Sequence, residues 1–176
     1  MVVQVFVRNE VTGNREPLKS GASIVPVYLR LINRTPRSID LIWINYQGQG
    51  VRYATLAPLG HFDVSTYEGH PWVFRDSVNG DIRFALPGRA EIYYPRAFED
   101  RRVARQIVPI VLGVLSLQER ALQVLTARLL AENRTSEQNL AILNLPLQLR
   151  NELAALIQRC EDYANSFTAP ELQANI

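Results

Sequence analysis

The sequence predicts an α+β protein with two domains, an antiparallel β-sandwich followed by a small three-helix domain. Residues 1–112 contain short runs rich in β-branched and aromatic residues, separated by turn signals at the spacing of a sandwich. After Gly113 the apolar residues recur at helical spacing instead. We therefore assign residues 1–112 to a β-sandwich domain, residues 113–168 to a helical domain and residues 169–176 to a tail.

Nine runs in the first domain have the length and composition of β-strands. Pro26 and Pro109 fall inside two of them, and because proline cannot donate to a strand ladder, we expect an edge position or a bulge there. The predicted strands are Val2–Val7, Ser23–Ile32, Ser38–Asn45, Val51–Thr55, His61–Tyr67, Pro71–Phe74, Asp81–Leu86, Glu91–Tyr94 and Arg105–Leu112.

Three helices are predicted in the second domain. Ser116 and Glu119 form the pattern of a capping box at the start of a helix that runs to Ala131. A short helix covers Glu137–Leu143 with Thr135 or Ser136 as its N-cap, and Pro146 begins a third helix that runs to about Phe167. Helices this short expose more apolar surface than they can cover among themselves, so we expect part of it to meet a partner chain.

The composition excludes several classes of function. The 176 residues carry a net charge of +2, and the arginines around Arg101 are interrupted by acidic residues without alternating aromatics, which argues against nucleic-acid binding. No apolar run approaches the roughly 20 residues that cross a bilayer, so no membrane association is expected. The single cysteine, Cys160, excludes an internal disulfide and a cysteine-rich zinc site. We expect a reducing location, cytoplasmic and nuclear.

The segment from Thr66 to Asp76 concentrates the functional side chains. If Thr66, His70 and Trp72 converge, they form a small aromatic-walled pocket with hydroxyl and imidazole partners, suited to an apolar ligand that carries one hydroxyl. Alternatively, His70 and Trp72 are core residues of a strand pair. A hydrolase built on His70 and Thr66 would need an orienting residue and an oxyanion site that the sequence does not indicate. The two histidines, His61 and His70, lack a metal-ligand spacing, and we expect no catalytic residue, metal or cofactor.

Four blocks in this order resemble the von Hippel–Lindau protein family, over roughly residues 27–165. They are Asn33-Arg34-Thr35-Pro36-Arg37; Trp43-Ile44-Asn45-Tyr46 with Tyr53-Ala54-Thr55-Leu56; the stretch from Tyr67 through Gly69-His70, Trp72 and Phe74 to Asp76; and the run Ser116-Leu117-Gln118-Glu119-Arg120-Ala121-Leu122-Gln123-Val124.

The resemblance implies a non-catalytic substrate receptor of a cullin-based ubiquitin ligase. In that family the β-domain captures a hydroxylated proline of hypoxia-inducible factor α, and the helical domain docks on Elongin C, which with Elongin B bridges to a cullin. Thr66 and His70 would exchange hydrogen bonds with the 4-hydroxyl, between the walls formed by Trp43 and Trp72. The implied hydroxyproline-binding set is Trp43, Tyr53, Thr66, Tyr67, His70 and Trp72, and the implied Elongin C-binding set is Leu117, Arg120, Ala121, Val124 and Leu125.

Departures from the family pattern leave an alternative open. Ala121 stands where the docking helix usually has Cys, a loss of buried area worth about 1 kcal/mol at roughly 25 cal/mol per Å². Thr66 replaces the usual Ser and keeps its hydroxyl, while Ser65 and Ala54 replace a second His and a Pro beside the pocket. The apolar row on the first helix could also pack on the third helix. A non-catalytic scaffold, acting in cytoskeleton or matrix assembly with the same fold, is therefore the second hypothesis.

Overall fold

The structure, a computed structural model, describes residues 5–8, 13–100 and 102–166. The chain divides into two compact units, one spanning residues 1–77, 81–113 and 166–176 and the other spanning 78–80 and 114–165. The first is built from strands and the second from three helices, which confirms the predicted α+β class. Residues 167–176, which include the whole predicted tail, lie outside the described residues.

In the part of the chain that the structure describes, ten strands lie in the first unit. β1 (Phe6–Arg8) and β2 (Arg15–Pro17) form a small antiparallel pair, and Val5 and Val7 pack against a cluster that includes Leu18. β2 was not predicted, and the Val2–Gln4 part of the first predicted strand lies outside the described residues. The others are β3 (Pro26–Asn33), β4 (Ile39–Ile44), β5 (Gly50–Leu56), β6 (His61–Tyr67), β7 (Trp72–Asp76), β8 (Ile82–Ala85), β9 (Ile92–Tyr93) and β10 (Arg105–Leu112).

These last eight strands form one sheet in the order β5-β4-β7-β8-β10-β3-β6, with β9 pairing on β7. The two ends of this order, β5 and β6, approach each other, so the sheet curls around a common core. Leu29, Leu41, Phe74 and Ile110 lie in that core. Alternation along each strand places one face of the sheet toward this core. In β3, for example, buried and more exposed residues alternate along the strand.

The pairing of β10 with β3 is parallel, with Arg105 opposite Tyr28 and Ile110 opposite Asn33, so this pair departs from the antiparallel pairing that the sequence predicted. Parallel neighbours need a long connection, and the chain from β4 to β9 supplies it. The expectation of edge strands or bulges at the prolines is also wrong, because β3 and β10 are interior strands whose register is regular. Pro26 is tolerated as the first residue of β3.

The second unit contains α1 (Leu117–Ala131), α2 (Glu137–Ile142) and α3 (Leu147–Asn165). The predicted capping box is present, with the Ser116 hydroxyl accepting from the Glu119 N–H and the Glu119 carboxylate accepting from the Ser116 N–H. Ser136, one of the two predicted caps, begins α2. Leu129, Leu140, Leu153 and Ile157 form the core of this unit.

Two searches of the described residues bear on function. None of the helices found there is both long and apolar enough to cross a membrane. Within the same residues, no group of three or more His, Cys, Asp or Glu side chains is arranged to hold a metal ion.

Candidate ligand-binding cavity and docking helix

The structure brings the six residues implied for hydroxyproline binding to one cavity of about 150 Å³. β4, β5 and β7 contribute one aromatic residue each, β6 contributes two residues, and the loop from β6 to β7 contributes the histidine. Tyr46 and Ser65 complete the lining. The eight lining residues are Trp43, Tyr46, Tyr53, Ser65, Thr66, Tyr67, His70 and Trp72.

The two tryptophans are register partners on neighbouring strands. Trp43 on β4 lies opposite Trp72 on β7, which places both indoles at the same level of the sheet. Trp72 is only 1% exposed and belongs to the sandwich core, so it is both a core residue and a lining residue of the cavity. The cavity therefore has a floor that is fixed by core packing.

A β-bulge positions Tyr53. Ala54 pairs with Leu41 and Arg52 pairs with Ile42, so Tyr53 is the extra residue of β5 and has no pairing partner on β4. Bulges re-aim side chains, and here the phenol is 49% exposed while its ring meets the Trp72 indole edge-on at 5.0 Å between centroids. Burial, and secondarily the neighbouring Tyr46, raises the pKa of Tyr53. Tyr53 therefore presents a protonated hydroxyl at the rim.

The turn after β6 places His70 over the cavity. Gly69 has φ of 73°, a left-handed conformation that glycine adopts without strain, and the His70 N–H donates to the Tyr67 carbonyl at 3.2 Å. Because β6 and β7 are not paired with each other, this loop crosses between two parts of the curled sheet. Trp72 is therefore a core residue of a strand pair, β7 with β4, as the alternative interpretation expected, whereas His70 lies in the loop that precedes β7.

The His70 ring is 4% exposed and surrounded by aromatic rings. It stacks on the Trp43 indole, with centroids 5.5 Å apart and planes at 27°, and it also contacts the rings of Tyr46 and Tyr67. Burial lowers the pKa of His70, and a backbone hydrogen bond to Gly21 opposes part of that effect. The ring is therefore neutral near pH 7 and has one N–H donor and one acceptor nitrogen.

Thr66 supplies the second polar group. Its Oγ1 accepts a hydrogen bond from the Trp72 indole Nε1–H at 3.2 Å, and its side chain is nearly buried. A hydroxyl has one donor and two acceptor positions, so this bond leaves the Thr66 proton available to a ligand. A neutral imidazole and a hydroxyl with a free proton can together donate to and accept from one ligand hydroxyl.

The binding set implied by the sequence left out three residues of this region. Ser65, expected beside the pocket, lies in its lining together with Tyr46, and Ser23 contacts His70, with 3.3 Å between Oγ and Nε2. The turn after β4 returns Tyr46 to the cavity because the Asn45 side chain accepts from the Gln47 and Gln49 N–H groups. Asn45 followed by Gly48 was a readable turn signal, whereas nothing in the sequence links Ser23 to His70.

Below the cavity, β7 continues into a buried charge cluster. Asp76 is fully buried and its carboxylate pairs with Arg83 at 2.6 Å and with Arg37 at 2.9 Å. The side chain of Arg83 is 4% exposed. A buried ion pair depends on both partners, so this cluster holds the strand that carries Trp72 against its neighbours.

The docking residues implied for α1 divide into two groups. Leu117, Arg120, Ala121 and Val124 are exposed, with Leu117 at 87% and Val124 at 56%, whereas Leu125 packs partly against the helical core. The buried residues of α1 are instead Gln123, Thr126 and Leu129. The alternative in which the whole row packs on α3 is therefore wrong, and an apolar strip of α1 faces solvent in the isolated chain.

Comparisons with known proteins identify relatives of this chain. A family described as the VHL beta domain matches residues 18–101, a range that contains every cavity residue and Ser23. Protein Vhl of Drosophila melanogaster is 27% identical over 147 residues, which cover 80% of this chain and 83% of the fly protein. The second alignment is longer than the β-domain match, so it takes in residues beyond that domain.

Proposed function

Because the chain belongs to the von Hippel–Lindau family, we propose that it is the substrate-recognition subunit of a cullin-based ubiquitin ligase. It binds 4-hydroxyproline in hypoxia-inducible factor α and presents that protein for ubiquitination and degradation, in the cytoplasm and nucleus. The receptor is non-catalytic, and Elongin C with Elongin B joins it to the cullin.

One observation carries the proposal for the ligand: a neutral imidazole and a hydroxyl share one small aromatic cavity. A volume of about 150 Å³ is the size of an engineered protein cavity that accepts benzene, so one five-membered ring fits. The pyrrolidine ring is rigid and mostly apolar, and it gains contact area on Trp43, Tyr53 and Trp72 at little entropic cost. Its hydroxyl complements His70 and Thr66.

The same geometry supports discrimination against unmodified proline. Without the hydroxyl, the ligand covers His70 and Thr66 but offers them no partner, and a polar group that is buried unpaired costs about 1–3 kcal/mol. Sites built around such a hydrogen bond reject the analogue that lacks it by up to about 10⁴-fold. One oxygen atom is therefore enough to switch recognition on.

The exposed strip of α1 supports the proposed partner. Leu117, Ala121 and Val124 recur on one side of the helix and are not used by the helical core, the arrangement of a helix that lies in a partner's groove. Ala121 buries less area than the Cys that the family usually has there. We therefore propose that Elongin C binds this strip with reduced affinity compared with a Cys-bearing helix.

Reconstitution tests the function as a whole. The full chain, co-expressed with Elongin B and Elongin C, is added to a cullin, a RING subunit and charged ubiquitin-conjugating enzyme with a lysine-bearing substrate peptide. Ubiquitin transfer to the hydroxylated peptide, and not to its proline twin, is the expected result. Failure of the chain to co-purify with Elongin C would favour the scaffold hypothesis, and equal transfer to both peptides would contradict hydroxyproline recognition.

A further inference from the structure

A short irregular segment, Ser20–Val25, runs beside the cavity, and we call it the strap. Its backbone is tied to the two loops that flank the cavity. The Ser20 N–H donates to the Asn45 carbonyl at 3.1 Å, and the Gly21 N–H donates to the Gly69 carbonyl at 2.9 Å. At the other end, the Glu68 N–H donates to the Val25 carbonyl at 2.9 Å. The strap is therefore held in place on both sides of His70.

Ser23, in the middle of the strap, lies between two cavity residues. Its Oγ is 3.3 Å from His70 Nε2 and 2.5 Å from the Tyr46 hydroxyl. The His70 ring also has a backbone hydrogen bond to Gly21. Because the Gly21 N–H is already donated to Gly69, the group that Gly21 offers to the ring is its carbonyl oxygen.

A neutral imidazole carries a proton on one ring nitrogen and a lone pair on the other. Nε2 is the nitrogen that faces the Ser23 hydroxyl, and a hydroxyl can either donate to it or accept from it. The Ser23 and Tyr46 hydroxyls share the next hydrogen bond, so the three side chains form one connected chain.

We infer that Ser23 and Tyr46 are positioning residues that hold the His70 ring over the cavity with Nε2 turned toward the strap. The backbone bonds of the strap fix the place of Ser23, and Tyr46, from the turn after β4, anchors the Ser23 hydroxyl. The His70 ring thus meets a ligand already oriented.

A consequence for binding rests on the proposed function. If His70 binds the ligand hydroxyl, a ring that is free to rotate must be ordered when the ligand arrives, which weakens binding. Removing the Ser23 hydroxyl is therefore expected to lower affinity for a hydroxylated peptide about fivefold, the factor for one ordinary net hydrogen bond. Ser23→Thr keeps the hydroxyl and is expected to keep the affinity.

The direct test needs no ligand. The chain has two histidines, His61 and His70, so nitrogen-15 spectra of the imidazoles report His70 with exposed His61 as an internal reference. In the unaltered full-length protein at pH 7.5, the two His70 nitrogens are expected at distinct shifts, one typical of an acceptor nitrogen and the other of a protonated nitrogen, because the ring is held in one orientation. Ser23→Ala is expected to move both His70 shifts toward an average, while His61 stays unchanged.

Companion variants keep the test decisive. Tyr46→Phe is expected to shift the His70 signals in the same direction by a smaller amount, and Ser23→Thr is expected to restore them. Tyr94→Phe is a matched control, since Tyr94 is 45% exposed compared with 47% for Tyr46 and lies outside the cavity lining. Averaged His70 shifts in the unaltered protein, or identical shifts in folded Ser23→Ala, would overturn the inference. Absence of peptide binding would instead count against the proposed function alone.

Discussion

The indole Nε1–H of Trp72 donates a hydrogen bond to Oγ1 of Thr66 across 3.2 Å. These residues lie on β7 and β6, strands that follow each other in the chain but do not pair in the sheet. One bond therefore joins a core indole at the cavity floor to the Thr66 hydroxyl, which we propose binds the ligand. The bond also orients the Thr66 hydroxyl, because one acceptor position of the oxygen is occupied and the hydroxyl proton is left to donate to a ligand.

Replacing Thr66 with Val removes this hydroxyl at nearly constant shape. The Trp72 N–H is then buried without its partner, and stability is expected to fall by about 1–3 kcal/mol, measured by urea unfolding. Affinity for a hydroxyproline peptide is expected to fall at least about tenfold, since a bond to the ligand is lost as well. Thr66→Ser, which keeps the hydroxyl, is the matched control and should retain most of the affinity. A Val variant that binds as well as the Ser variant would remove Thr66 from the site.

Local patterns predicted most of the fold. Nine of the ten strands in the described residues overlap predicted runs because each run carries its own alternation and turn signals, as β3 shows. The caps at Ser116 and Ser136 were readable because a cap involves neighbours within three residues. The short β2 carries no apolar run, and it forms where β1 can pair with it.

What escaped prediction depends on residues distant in sequence. The parallel pairing of β3 with β10 and the separation of β6 from β7 are decided by the whole sheet. The bulge at Tyr53 appears only when β5 is aligned with β4. Ser23 reaches His70 across 47 positions of sequence, through backbone bonds that no local pattern records. The family resemblance located the central ligand residues but not the strap that holds one of them.

Burial of His70 predicts a pH dependence of stability. Desolvation lowers its folded-state pKa below the ordinary value of 6.5. As the pH falls through the ordinary value, the unfolded chain binds a proton on this histidine and the folded chain does not. The free energy of unfolding therefore decreases. Among the described residues, the polar groups at the ring are Tyr46, Tyr67, the Ser23 hydroxyl and the Gly21 backbone, and none of them carries a charge at these pH values. Unfolding free energies measured from pH 7.5 to 5.5 should decline.

His70→Gln is expected to flatten this decline, because glutamine does not titrate. His61→Gln is the matched control, since the His61 side chain is exposed, and it should keep the slope of the unaltered protein. Equal slopes in the unaltered protein and His70→Gln would show that the folded protein does not resist protonation of His70.

Two aspartates with paired arginines should behave differently on neutralisation. Asp76→Asn leaves the buried Arg83 without its charge partner and is expected to cost about 3–5 kcal/mol. Asp63 pairs with Arg30 and Arg105 at the surface, where its side chain is 32% exposed and solvent screens the charges, so Asp63→Asn is expected to lower stability far less than Asp76→Asn. Urea unfolding of both variants measures the difference. Equal losses would mean that the Asp76 cluster is not a structural support of β7.

The exposed strip of α1 makes a prediction about assembly. Val124→Arg is expected to abolish co-purification with Elongin C while leaving the melting temperature unchanged, because Val124 is not part of the helical core. Ala121→Cys adds buried area and is expected to tighten the complex by up to about fivefold. Arg128→Ala, a change at an exposed position on the same helix, is the control. Stable complex formation by Val124→Arg would place the partner surface elsewhere.

The central claim is that the cavity around Trp72 and His70 reads one hydroxyl group. Calorimetric titration of the full chain at pH 7.5 with a peptide containing a single 4-hydroxyproline, and with its proline twin, tests it most directly. The hydroxylated peptide is expected to bind at least about 100-fold more tightly, within the range that a hydrogen-bonding site can reach. Equal affinity for the two peptides would contradict the claim.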